Sequence, residues 1–109
     1  SKDFDYIAIP SHGAIGDGMA IAAGGGANAK NLRRHLQQRS SNGEGKVVVT
    51  SRNSALANAV IKGAVSDNQF PGVWLVYAGD AKYAESLKQI VEAAGMKYGF
   101  VDINQSHQR

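Results

Sequence analysis

Four short apolar segments, each bounded by polar, proline or glycine residues, are the predicted β-strands of this chain. They are Tyr6 to Ile9, Lys46 to Thr50, Val73 to Tyr77 and Tyr98 to Ile103. The run Val47-Val48-Val49 shows no alternation of polar and apolar positions, which is typical of parallel strands covered on both faces. We therefore expect a mostly parallel four-stranded sheet with the second and third strands at its centre.

Three segments between the strands have the apolar spacing of helices. The clearest begins after Asp80, a predicted N-cap, and ends at Gly95, a residue typical of the position just past a helix. The middle helix follows residues 51–54, whose small polar side chains can cap it, and the first is expected over Ala27 to Arg39. The order βαβαβαβ predicts an α/β fold, a small three-layer sandwich in which right-handed crossovers place helices on both faces of the sheet.

The apolar positions of these elements predict one core and one domain spanning residues 1–109. The chain has 109 residues, of which 43% are apolar, and this is enough for a single buried core. The expected core residues are Val47 to Val49, Val73 to Val76, Leu56, Val60, Leu87 and Val91.

The connection after the first strand is rich in glycine, with six glycines between residues 13 and 26. Such a turn at the carboxyl end of a strand lets backbone N–H groups approach a ligand, ahead of a helix N-terminus that favours anions. Ligands of open α/β sheets bind at the carboxyl ends of the strands, where the strand order reverses. The expected ligand-binding residues are therefore Ser11, His12, Gly13, Gly16, Gly18, Ser51 and Arg52.

The same glycine-rich connection also has a purely structural interpretation. As an ordered loop around a cavity, it would hold a phosphate or carboxylate group, with Arg52 as the countercharge. As a helix with Ile15, Met19 and Ala22 buried, its glycines would only permit close contacts between elements. The two interpretations make opposite predictions about the conformation of residues 13–18.

Two short pieces of the chain resemble the cofactor-binding region of short-chain dehydrogenases. Gly16 and Gly18 match that family's pattern Thr-Gly-x-x-x-Gly-x-Gly, whereas His12 stands at the place of its first glycine. The segment from Val47 to Asn53 is similar to the family's second strand, at whose end an arginine can hold a 2′-phosphate. The resemblance implies a phosphate cradle made of a strand, a connection and a helix.

The rest of the chain departs from the short-chain dehydrogenase pattern. Three consecutive glycines at 24–26 interrupt the helix that should face the pyrophosphate. The catalytic pair Tyr-x-x-x-Lys is missing, because Tyr83 and Lys88 are five positions apart. The chain is also less than half as long as such a fold requires, so we do not assign it to this family.

Composition and charge restrict the partners and the chemistry. A net charge of +3 is mildly favourable for anionic partners but lacks the concentrated basic face of a nucleic-acid binder, so nucleic acid is not expected. The absence of cysteine excludes disulfides and thiolate chemistry, and His12, His35 and His107 are not spaced as metal ligands. No apolar run reaches the length of a membrane helix, so we expect a soluble protein, and the cytoplasm and the periplasm are both consistent with the sequence.

Two classes of function are consistent with these observations. The favoured one is a non-catalytic binding or protein-interaction domain, because the chain is small and contains no catalytic constellation such as Gly-x-Ser-x-Gly. The alternative is a small-molecule-binding or enzymatic domain that holds a phosphate-bearing or other anionic ligand over Gly13 to Gly18. The sequence favours a protein that is not an enzyme but does not exclude an enzyme. It identifies no cofactor, ligand, partner or oligomeric state.

Overall fold

In the computed structural model of the chain, residues 4–104 are described. They form the strands and helices β1 (Phe4–Ile9), α1 (Gly13–Ala22), α2 (Gly26–Ser41), β2 (Gly45–Ser51), α3 (Ser54–Val65), β3 (Val73–Gly79), α4 (Ala84–Ala93) and β4 (Lys97–Asp102), with a short 3₁₀ turn at Ala81–Tyr83 before α4. The α/β class and the parallel four-stranded sheet are confirmed. The predicted domain, residues 1–109, extends beyond the described residues at both ends. His107, which we predicted not to be a metal ligand, lies outside them.

The strands lie side by side in the order β1-β2-β3-β4, and every neighbouring pair is parallel. Each crossover therefore steps in the same direction along the sheet, and crossovers of one hand then place all helices on the same face. The contacts agree, since α1, α2 and α4 each pack against α3. The expectation of helices on both faces is corrected to one helical layer on one sheet, because a reversal of strand order is needed to move a helix to the other face.

The core lies between this single helical layer and one face of the sheet. Its fully buried large side chains include Val47, Val49, Val73, Leu75 and Tyr77 from the sheet and Leu32, Leu36, Leu56, Val60, Ile61 and Leu87 from the helices, joined by the buried Val91. Three predicted core residues differ: Val48 and Val76 are only partly buried, and Trp74 is 41% exposed. Alternate residues of a strand point to opposite faces, and no helix within residues 4–104 covers the second face.

The helix ends follow the local signals in the sequence. The Asp80 carboxylate accepts a hydrogen bond of 2.9 Å from the backbone N–H of Lys82, as predicted for an N-cap, although the first turn is 3₁₀. Gly95 has a φ of +78° at the end of α4. Within residues 51–54 the cap of α3 is Asn53, whose side-chain oxygen accepts hydrogen bonds from the backbone N–H groups of Ala55 and Leu56. Local side-chain chemistry therefore determines where these helices begin and end.

The glycine-rich connection is a helix followed by a tight turn, as in the helical interpretation, and not an ordered loop around a cavity. Residues 13–22 are α1, and the turn at Ala23–Gly25 leads directly into α2. Gly25 has a φ of +93°, and a Cβ there would lie 2.8 Å from the Cα of Val60 in α3. A Cβ on Gly63 of α3 would overlap the carbonyl oxygen of Gly24. These glycines allow the turn to pack directly on α3.

The exposure of α1 differs from the helical interpretation in one respect. Ile15 and Met19, expected to be buried in a helix, are 81% and 70% exposed, and Ala22, expected to be buried with them, is exposed as well. The buried residue of α1 is Asp17, which is 2% exposed. A buried carboxylate therefore connects this helix to the rest of the molecule, together with the partly buried Ala20 and Ile21, which pack against the core.

Candidate binding surfaces

Asp17 connects three elements at the carboxyl edge of β1 and β2. Its carboxylate accepts hydrogen bonds from the Ser11 hydroxyl at 2.5 Å, the His12 backbone N–H at 2.7 Å and the Asn53 side-chain amide at 2.9 Å. Asn53 is also the N-cap of α3, so one carboxylate holds the segment after β1, the start of α1 and the start of α3 together. This hydrogen-bond network positions two of the predicted site residues, Ser11 and His12.

The same hydrogen bonds determine the charge of Asp17. The His12 backbone N–H, followed by the Ser11 hydroxyl and the Asn53 amide, lowers the pKa of the Asp17 carboxyl below its usual value. Donors that bind the ionised form stabilise it, so Asp17 is an anion at neutral pH. The carboxylate is buried and accepts three hydrogen bonds from protein groups, which is typical of a structural carboxylate.

This buried anion changes the expectation for the predicted ligand site. The residues that should have surrounded an external anion instead bind the carboxylate of Asp17 through Ser11 and the N–H of His12. A phosphate near Gly13 or Gly16 would therefore face a fixed negative charge. In addition, the backbone N–H groups of Gly18 and the residues after it lie within the helix, where such groups bond the preceding turn.

The structure brings together some of the predicted site residues and separates others. Ser11, Ser51 and Arg52 line a cavity of about 640 Å³ at the carboxyl ends of β1 and β2, together with Tyr6, Ala8, Ile9, Pro10, Thr50 and Ile103. The predicted His12, Gly13, Gly16 and Gly18 do not line it. Because the strand order never reverses, the described sheet also has no switch-point crevice of the kind that led to this prediction.

The hydroxyl and guanidinium groups of this cavity differ in availability. Ser51 is 6% exposed and its hydroxyl donates to the Ile9 carbonyl at 2.9 Å, so it is already satisfied. Arg52 is exposed and forms no ion pair among residues 4–104. The cavity therefore presents one available charged donor, which is fewer than phosphate sites usually combine.

Within residues 4–104, no three His, Asp or Glu side chains are grouped so that they could hold a metal ion. None of the helices in this part of the chain is long and apolar enough to cross a lipid bilayer.

The largest unexplained feature is the face of the sheet that no described element of the chain covers, which we call the open face. Strand register places its residues in three rows of four, from the amino to the carboxyl ends of the strands: Phe4, Lys46, Trp74 and Lys97; Tyr6, Val48, Val76 and Gly99; Ala8, Thr50, Ala78 and Val101. Its large apolar residues are exposed, with Tyr6 at 64%, Val101 at 53%, Trp74 at 41% and Phe4 at 40%. Contiguous apolar patches of this kind mark interaction surfaces.

The charges of the open face lie at its two ends. Lys46 and Lys97 belong to the amino-end row, and the Lys97 ammonium lies 5.7 Å from the centre of the Trp74 ring. Glu44 lines a cavity of about 510 Å³ at this same end, and Arg52 lines the cavity at the opposite end. The middle row carries no charge.

Sequence reasoning missed the open face because its signal was weak. Lys46 pairs with Trp74 and Val48 pairs with Val76, and the two pairs are two positions apart along their strands. All four residues therefore lie on one face, which mixes a charged and an amphipathic side chain with two valines. On β2 and β3 both faces carry apolar side chains, and such strands are indistinguishable from strands buried on both sides. The deciding information is the strand order, which no single segment contains.

Comparisons of the chain with protein-family models, with curated proteins and with solved structures found no match.

Proposed function

We propose that this chain is a non-catalytic interaction domain that binds another polypeptide across its open face. The observation that carries this proposal is the exposure of Phe4, Tyr6, Trp74 and Val101 on a parallel sheet. All-parallel sheets occur almost only with both faces covered, and here the helices cover one. A polypeptide on the second face would remove these apolar side chains from water, which is the main favourable term in association.

The lysines of the open face provide a direct test of where a partner binds. The full chain, immobilised at low density, is incubated with an extract of its source cells, and a captured protein is purified and added back to the free chain. Lysine acetylation read by mass spectrometry then compares Lys46 and Lys97 with the exposed Lys30 and Lys88 on the helices. We expect protection of Lys46 and Lys97 alone.

A matched pair of substitutions completes this test. Tyr6→Asp places a charge in the middle row of the open face, whereas Met19→Asp places one on the exposed surface of α1. We expect the captured protein to be lost with Tyr6→Asp and retained with Met19→Asp. Equal capture by both variants, with unchanged reactivity of Lys46, would contradict the proposed function.

A further inference from the structure

The open face is a wedge, because its rows differ in size from one end to the other. The amino-end row holds the large side chains Phe4, Lys46, Trp74 and Lys97. The carboxyl-end row holds the smaller Ala8, Thr50, Ala78 and Val101. A flat partner surface would touch the large row and leave a gap over the small one, and such gaps forfeit dispersion energy.

A second copy of the same face fills this wedge in only one orientation. With a twofold axis that is parallel to the sheets and perpendicular to the strands, each strand lies antiparallel over the same strand of the other copy. Trp74 then covers Ala78 of the other copy, and Phe4 covers its Ala8. With the axis along the strands, large side chains would oppose large ones at one end. Packing at interior density requires complementary shapes, and this favours the antiparallel arrangement.

The lysines favour the same orientation. With the axis along the strands, Lys46 and Lys97 of both copies would gather at one end of the interface. In the antiparallel arrangement the two lysine rows lie at opposite ends, separated by two row spacings, or about 13 Å along the strands. This exceeds the Debye length of about 8 Å at physiological ionic strength, so the repulsion between them is largely screened.

Glu44 and Arg52 add charge complementarity. Glu44 and Arg52 flank β2 and line the cavities at its amino and carboxyl ends, so the antiparallel stack that places Lys46 over Thr50 brings the Glu44 end of one copy to the Arg52 end of the other. Both side chains are exposed, and neither forms an ion pair among residues 4–104. The twofold axis makes this contact twice.

We infer that the occupant of the open face is a second copy of this chain, in a twofold dimer whose sheets pack face to face with antiparallel strands and whose Glu44 and Arg52 side chains pair across the interface. The inference rests on the proposed function and specifies its partner. The three rows hold twelve residues, which is fewer than the 20 to 30 residues that each partner contributes to a standard interface, so we expect a weak dimer with a dissociation constant in the micromolar range or above.

The first experiment measures association of the purified full chain. Trp74 is the only tryptophan of the chain, so its emission should shift to shorter wavelength as concentration rises and sedimentation equilibrium detects dimer. Tyr6→Asp should abolish both changes and Met19→Asp should leave them intact. A chain that remains monomeric at millimolar concentration overturns the inference, while the lysine protection by a captured partner still tests the proposed function separately.

The second experiment exchanges the charges of the predicted pair. Glu44→Arg and Arg52→Glu should each weaken dimerisation by about tenfold, since each places like charges together twice, and the double variant should restore the wild-type dissociation constant. Both positions are exposed, so folding should be unaffected, and circular dichroism checks this. A dimer that neither single variant weakens, or that the double variant fails to restore, overturns the antiparallel arrangement. A dimer that Tyr6→Asp leaves intact contradicts the open face as its interface.

Discussion

Adding the same methyl group to two helical glycines should change stability in opposite directions. Gly18 of α1 and Gly63 of α3 both lie inside helices, and neither has a positive φ. Replacing glycine by alanine in a helix interior stabilises by about 0.5 to 1 kcal/mol when the new Cβ has room. A Cβ on Gly18 meets nothing within 4 Å, so Gly18→Ala should raise the free energy of unfolding by about that amount.

Gly63→Ala has the same favourable helix propensity as Gly18→Ala, but overpacking lowers its free energy of unfolding by more than this gain. Its Cβ would overlap the carbonyl oxygen of Gly24 and would lie 3.1 Å from the Cβ of Ala29. The neighbour is backbone and cannot rotate away, so the turn between α1 and α2 must move off α3. The Gly63 carbonyl also accepts a bond of 2.6 Å from Arg33 of α2, which such a movement would strain. Overpacking costs about 1 to 3 kcal/mol, and an overlap with a backbone atom belongs to the upper half of that range, about 2 to 3 kcal/mol. After the helical gain is subtracted, we expect a net loss of about 1 to 2.5 kcal/mol for Gly63→Ala.

Urea denaturation followed by circular dichroism measures both changes, and equal m values would show that the unfolding transitions are comparable. If Gly63→Ala were as stable as the wild type, the packing of the glycine turn on α3 would be refuted. If Gly18→Ala destabilised the protein, residues 13–22 would not be the exposed helix described above. The pair therefore separates close packing from helix propensity with one substitution type.

Four further outcomes are expected. Leu87→Ala should cost about 2 to 5 kcal/mol in urea denaturation because Leu87 is fully buried, and a loss well below 1 kcal/mol would contradict its place in the core. Asp80→Ala should cost about 1 kcal/mol through loss of its N-cap bond, whereas Asp80→Asn should keep most of the stability. Hydrogen bonding from Arg39 lowers the pKa of Asp5 from 3.8, so the advantage of wild type over Asp5→Asn should be complete above that pH and vanish as the pH falls through the lowered value; an advantage independent of pH would refute the ion pair. If the alternative anion site exists, Arg52→Ala should weaken phosphate binding by roughly 1.5 to 3 kcal/mol in calorimetry, and equal affinities would eliminate it.

The amino-acid sequence determined where the strands and most helices lie, because the signals for them are local. Apolar runs marked all four strands. The predicted cap at Asp80 and the glycine at 95 marked the limits of one helix, and the small polar residues at 51–54, of which Asn53 is the cap, marked the start of another. The glycine-rich connection was the exception among these local predictions. Its glycines disfavour a helix by propensity, but Asp17 holds α1 in place through Ser11, His12 and Asn53, and Asn53 is distant in sequence.

Tertiary structure alone decided which side of the sheet is covered. The pattern of a single strand records that both its faces are partly apolar, but not whether a helix, a second copy or another polypeptide lies against each face. That depends on strand order, and the order β1-β2-β3-β4 leaves every crossover on one side. The open face is therefore a property of topology: side chains such as Trp74 and Val76 belong to strands that read as fully buried, and only the direction in which successive crossovers step leaves them facing water.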